Sequence, residues 1–395
     1  MRLNGKRLLA VMLSLVMMNQ GTALAGARAT VDKAPRQTSY ERERTAEQWA
    51  ALRDNVLTWD EIRDLVHEYN PTVSSLWINY RDNNDTGTYD LSYDDVISNI
   101  ESVYDNAIGK SDAGDASAEL TRKQALANVD TTIQNSDREV VTLGHEKTEV
   151  ATAEAIKQQI ISIYTSELTT KLNQIAIEQD TKLLEQAQRK LQVGSGTELD
   201  VLNAEKTLKD AEVSLQSSIA DQIKAKQTVL VNLGWKYDAE PLICEVPEVT
   251  DEMIAVINLQ EDIQKAMGNS YTLRIDERKM TLAESEGTAS STAISLNSDK
   301  NQVQSDITAK YNALLEAQNN YKKQQLNELN LLKTLDKTNR SYALGSSSMR
   351  ELETANYNYN SAVINTQIMK YNMQGAYFTY ISYRDGLAGS GSGSK

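Results

Sequence analysis

Enzymes and metal proteins need side chains that pass protons, attack as nucleophiles or donate lone pairs, and this chain of 395 residues has few of them. It carries 2 His and 1 Cys. His67 falls in the short segment Asp60–Tyr69 and His145 in a charged helical stretch. Neither has a Ser, Cys or metal ligand at a usable spacing, so both read as solvated surface histidines. Cys244 sits between Pro241 and Pro247 and reads as a lone thiol beside a turn. Asp82, Asn84, Thr86 and Gly87 resemble the opening of a calcium loop, but the closing Glu would fall at Tyr93, which cannot chelate. These residues give no catalytic, cofactor-binding or metal constellation. The spacing that does recur has another chemistry. Gly194 is followed three residues on by Thr197, six on by Asp200, seven on by Val201 and ten on by Ala204; Gly345, Ser348, Glu351, Leu352 and Ala355 repeat that pattern. Glycine lets a chain reverse through a left-handed conformation. A Ser or Thr caps the helix that follows, and an acid in its first turn complements the helix dipole. A well-capped turn accounts for the residue types on its own.

The elements around these turns must be long helices. Only 4 prolines occur, Pro35, Pro71, Pro241 and Pro247, and the long stretches between and after them leave helices free to run. From about Glu119 to Gln192 the pattern is helical, with Ile156, Ile160, Ile163, Leu172, Ile175 and Leu183 at three-four spacing or its sums. After the Gly194 break, Val201, Ala204, Leu208, Ala211 and Leu215 keep strict 3-4-3-4 spacing, a coiled-coil seam that passes to Ile219 and Ile223. The pair reads as a long antiparallel hairpin, with a first arm of about 70 residues reaching roughly 100 Å. A shift of 151 residues repeats it: Ile156 falls on Ile307, Ile163 on Leu314, Ile175 on Leu326, Gly194 on Gly345 and Ala211 on Ala362. A weaker echo near 200 relates the segment before Pro71, with Asn70, to the segment around Asn269.

Charge and hydropathy exclude other classes. The formal net charge of -14 argues against a nucleic-acid partner, which needs a basic face. A mean hydropathy of -0.50 excludes a multi-span helical membrane protein. Residues 1–25 read as a signal peptide, with Arg2, Lys6 and Arg7, an apolar stretch from Leu8 to Met18, and Ala23-Leu24-Ala25 as a cleavage site. Residues 26–56 are polar, with a short helix expected around Thr45 to Leu57; Thr58 and Glu61 then form a candidate capping box. The expected organisation is repeat 1 over 57–240 with an acidic, irregular or partly helical insertion at 81–120, a linker over 241–256, repeat 2 over 257–387 and a Gly/Ser tail over 388–395.

The doubled tip motif on proline-free hairpins, with Asn70-Pro71 at the repeat start and Leu233-Gly234 at its end, resembles the TolC family of outer membrane efflux proteins across about residues 57–387. The resemblance implies an all-α protomer of two tandem coiled-coil hairpins that assembles as a homotrimer around a tunnel. It also implies docking by the hairpin tips to a periplasmic adaptor (membrane fusion) protein and to an ABC or proton-driven pump. It places a gate at the tips, with Tyr342 bonded to Asp200 and an acidic ring at Glu351. Ser347 stands where the family has an Arg, and Thr354 where it has a further acid. A solvated helix-start acid is the other reading of Glu351. The family's membrane strands, two per repeat, are expected to be short or absent. Gly287 to Asn297 is too polar to face lipid, and Thr88 to Val96 is broken by Asp90, Asp94 and Asp95. The functional expectation is an exported conduit of an efflux or secretion system in the cell envelope. A non-channel envelope spacer or adaptor is the alternative.

Overall fold

The computed structural model describes residues 43–108 and 115–389. The signal-peptide expectation, the start of the polar segment and Ser390–Lys395 lie outside them. The described chain is all-α. In order it forms α1 (Ala46–Leu52), β1 (Val56–Leu57), α2 (Ile62–Tyr69), α3 (Pro71–Asp85), α4 (Tyr93–Ile108), α5 (Asp115–Ala127) and α6 (Val129–Ser136). There follow α7 (Arg138–Gln192), α8 (Glu198–Asn232), β2 (Leu242–Ile243), α9 (Asp251–Ala255), α10 (Leu259–Asn269), α11 (Tyr271–Thr281), α12 (Glu286–Ala343) and α13 (Met349–Ser382). A π-turn, Tyr383–Leu387, is the last element among the described residues.

Four helices dominate. At about 1.5 Å per residue, α7 with 55 residues and α12 with 58 each run roughly 80–90 Å. α7 turns back into α8 and α12 into α13, and α13 lies against α7, so the side-by-side order is α8–α7–α13–α12. Glu154 on α7 ties the two hairpins: Ser382 and Thr379 hydroxyls donate to it at 2.6 and 3.0 Å. Gln158 donates to the Gly375 carbonyl at 3.1 Å, an approach that a Cβ at Gly375 would obstruct.

The core sits at the base, away from the tips. One cluster packs Trp59, Ile62, Leu65 and Val73 against Ile156, Ile160, Leu230 and Leu233; the other packs Leu273, Ile307, Leu314 and Met373 with Tyr380. The side chains of the distal arms are mostly half-covered or exposed, because one hairpin has only a narrow seam to bury.

Several expectations need correction. The first arm is three helices, α5, α6 and α7, with breaks at Asn128 and Asp137; Asp137 caps α7 by accepting from the Val140 amide, and the expected 70-residue run is cut to 55. Of the two expectations for segment 81–120, the partly helical one holds and the irregular one does not: its described residues contain the end of α3, all of α4 and the start of α5. The N-terminal helix stops at Leu52, and Val56–Leu57 pairs in parallel with Leu242–Ile243, inside the expected linker. Glu61 reaches back to the Thr58 amide, but α2 starts only at Ile62 and Thr58 does not cap it. The seam leaves Ile219 and Ile223 exposed at 38% and 53%, and Leu326 at 62%. It continues instead through Ser218, whose hydroxyl accepts from Asn173 on α7 at 2.9 Å. A polar layer can hold the three-four register there, so the isoleucines are released outward. The echo near 200 pairs Asn70 with Ser270, which cap α3 and α11; Asn269 is only the last residue of α10.

The slots expected for membrane strands hold helix and loop. Gly287 to Asn297 forms the first turns of α12; of Thr88 to Val96, residues 88–92 form a loop and 93–96 the first turn of α4. Among the described residues the only strands are the two-residue β1 and β2, and no helix is long and apolar enough to cross a membrane.

Candidate functional site: the paired hairpin tips

Each tip is built by backbone chemistry that the sequence dictates locally. At the end of α7 the Val193 amide donates to Arg189 O at 3.2 Å, Gly194 to Leu191 O at 3.0 Å, and Ser195 and Gly196 to Lys190 O at 2.9 and 3.1 Å. The carbonyls left over at a helix end are thereby satisfied. Gly194 stands at φ 72°, a conformation that disfavours a side chain. At the second tip Leu344 donates to Arg340 O at 3.1 Å, Gly345 to Tyr342 O at 2.9 Å, and Ser346 and Ser347 to Ser341 O at 2.9 and 3.3 Å, with Gly345 at φ 70°. The 151-residue shift therefore holds bond for bond.

The returning helices begin alike. Thr197 Oγ1 accepts from the Asp200 amide at 3.2 Å while Asp200 Oδ2 accepts from the Thr197 amide at 2.9 Å and its hydroxyl at 2.8 Å. Ser348 and Glu351 make the same reciprocal box, at 3.2, 2.7 and 3.0 Å. The donated bonds hold both carboxyls below the usual carboxylate range, the backbone amide of Thr197 or Ser348 first. Both acids stay ionised and face solvent.

Within one chain the gate residues do not meet. Asp200 bonds to Thr197, and Glu351 to Ser348. Tyr342 is 42% exposed, and among the described residues its phenol has no recorded hydrogen bond. Around the tips lie further exposed apolar side chains, Val193 at 77%, Leu344 at 85% and Met349 at 52%. Sequence reasoning passed over these three, although each flanks a motif glycine or cap.

Exposed apolar residues also line the two outer helices. α8 presents Leu199, Leu202, Val213, Ile219 and Ile223, and α12 presents Leu326, Leu329 and Leu332. These helices are the free edges of the four-helix layer, so each lacks a neighbour on one side.

His67 is the clearest reversal. It is buried, with Nδ1 2.7 Å from Oε2 of the buried Glu149. Trp77 Nε1 donates to the same oxygen at 3.1 Å, and Arg63 Nε to Oε1 at 2.9 Å. Arg44 pairs with the buried Glu68 and with Asp64. Helix α2 shows one apolar stripe in sequence, but α7 and the segment before α1 cover its polar side too. The cluster joins α2, α3 and α7 as a structural knot. His145 is half-buried against the rings of Trp77 and Tyr80. Cys244 is partly covered; its amide donates to Leu57 O at 2.9 Å in the small parallel pair. Among the described residues no cluster of His, Cys, Asp and Glu could hold a metal ion.

In sequence, no protein-family model and no curated protein matches this chain. In structure it is similar to the outer-membrane channel OprN, with a TM-score of 0.57 at 10% identity over 90% of this chain and 96% of that one. It is also similar to the CmeC outer membrane channel of Campylobacter jejuni, at 0.54 and 9% identity over 89% and 90%. A third neighbour is CusC, whose structure concerns transmembrane channel formation, at 0.52 and 10% identity over 87% and 96%. The chain thus has the fold of the TolC-type outer-membrane channels, in a form whose described residues contain no barrel strands.

Proposed function

We propose that this protein is the helical conduit component of an efflux or secretion system, exported to the cell envelope and assembled as a homotrimer. One observation carries the reading. The four long helices form a layer with both glycine-turned tips at one end, and its two edge helices expose apolar residues that a single chain leaves uncovered. Edge α8 of one copy against edge α12 of the next is a head-to-tail contact, which closes into a ring when the rotation suits it. The tips then gather at one mouth, where an adaptor protein and an ABC or proton-driven pump of the inner membrane dock. At that mouth Tyr342 of one hairpin bonds to Asp200 of its neighbour and Glu351 contributes a ring of charge. A phenol–carboxylate bond is worth about 1.5–3 kcal/mol, so a few of them hold a closed state that a docking partner can shift. Ser347 and Thr354 in place of charged residues make this lock weaker than the family's.

The second reading, an envelope spacer without a channel, is favoured by one feature: a loop with the start of α4, and the start of α12, occupy the slots of the membrane strands. The mass of the mature protein in solution separates the two. A trimer supports the conduit, whereas a monomer or dimer supports the spacer. In a reconstituted assembly, Tyr342→Phe with Asp200→Ala raises conductance if the tips gate; unchanged conductance reduces the tips to capped turns.

A further inference from the structure

The base of repeat 1 holds a cavity of about 540 Å³ between α3, the loop 86–92, α6 and α7. That volume lies within the roughly 300–1,000 Å³ of small-molecule sites. One wall is aromatic. Tyr80 and Tyr89 stack with centroids 5.1 Å apart, and the His145 ring meets Tyr80 edge-on at 6.1 Å. Burial pushes the pKa of His145 down, so its ring is neutral near pH 7. The polar lining comes from Asn79, Asn83 and Asn135, all exposed and without a side-chain bond among the described residues, together with Thr88, Thr132 and Ser136.

The loop that carries Tyr89 is held in place. Asp90 is the one non-glycine with positive φ among the described residues, at 58°. Its amide donates to Ser136 O at 2.8 Å, and its carboxylate accepts from the Arg138 amide at 2.9 Å. Backbone strain of this kind, about 1–3 kcal/mol, persists only where surrounding bonds impose it. Here those bonds fix the Tyr89 ring over Tyr80.

We infer that this cavity binds a neutral saccharide. The C–H face of a sugar ring carries slight positive charge and stacks on the negative face of a tyrosine. Hydroxyl and acetamido groups both donate and accept, as the three carboxamides do. No lysine or arginine lines the cavity, which removes phosphorylated ligands from consideration. Leu91 and Thr132 also line a second, more apolar cavity of about 600 Å³, with Val96, Ile100, Tyr104 and Arg122 in its walls, so a longer ligand would meet a different surface there. Counting from His145 to Gln192, the site lies about 70 Å along α7 from the tip. The inference does not rest on the conduit reading.

Titration calorimetry of the full chain with N-acetylglucosamine tetramer and with cellotetraose tests the site, and co-sedimentation with insoluble peptidoglycan tests whether it takes a wall glycan. Saturable binding that Tyr89→Ala and Asn83→Ala each weaken about tenfold or more, with unchanged melting, supports the inference. Sedimentation lost in the same variants assigns the ligand to wall strands; soluble binding without sedimentation assigns it to free sugars. Failure to bind any of the three probes, or equal binding by wild type and Tyr89→Ala, overturns it.

Discussion

At the tips a shift of 151 residues carries one turn onto the other; at the bases no single shift does. Asn70 and Ser270 both cap a helix, 200 residues apart, yet the carbonyls their side chains reach, Asn232 O and Ala388 O, lie 156 apart. The first base is closed by the His67–Glu149–Trp77–Arg63 cluster, the second by the buried Tyr380 hydroxyl on Asp262 Oδ2 at 2.7 Å. The first joins α3 to α7 through α4, α5 and α6, while the second passes from α11 to α12 over residues 282–285. A tip is made by bonds spanning a few residues, so the same few side chains rebuild it wherever they recur. A base is made by contacts across tens to hundreds of residues, so each copy solved its packing separately.

The comparison can be broken at its bases first. Glu149→Ala leaves His67 and Trp77 facing a void where the carboxylate stood, and should cost about 3–5 kcal/mol in denaturant unfolding. Asp262→Ala orphans the buried Tyr380 hydroxyl and frees only an exposed Lys265 besides, and should cost about 1–3 kcal/mol. Equal losses in the two variants would remove the asymmetry between the bases.

The seam and the glycines come next. Leu208→Asp, on the half-covered line of α8, sets a charge against α7; a fall of about 2 kcal/mol or more in stability is expected by circular dichroism melting. An unchanged midpoint would return Leu208 to the solvent face. Gly234→Ala should cost more than either tip glycine. At φ 85° its Cβ would lie 2.5 Å from that of Tyr69, whereas nothing lies within 4 Å of a Cβ at Gly194 or Gly345. The two tip substitutions should therefore match each other at about 1 kcal/mol each, from backbone conformation alone. Unequal values would end the equivalence of the tips.

The smallest effect is a titration at the second base. Burial, and then a bond to Asp299, push Asp276 up to about 6. A carboxyl raised in the folded state favours folding below its unfolded value near 4, and that contribution is lost as pH rises through about 6. Asp276 is only half-buried, so the loss is about 1 kcal/mol or less. Asp276→Asn should flatten the melting profile over that window, and a slope that persists would assign it to other groups.

The long proline-free arms, the two glycine breaks and the capping residues were legible because each rests on interactions within a turn or two of helix. Thr197 with Asp200, and Ser348 with Glu351, needed only their own spacing to be read. His67 was misread because α2 gives no sign of a carboxylate 82 residues away on α7 that would cover its polar side. The breaks at Asn128 and Asp137 were missed for a similar reason: Asp137 is held by Arg278, and Asp130 by Ser285, both from the other repeat. The Tyr80–Tyr89–His145 cavity was invisible because its walls come from α3, a loop, α6 and α7. Sequence by itself determined the hairpins, since helix period and turn chemistry are local. Only the tertiary structure decided which polar groups are buried, how the bases close and which edges remain open, because those depend on which distant segments the chain brings into contact.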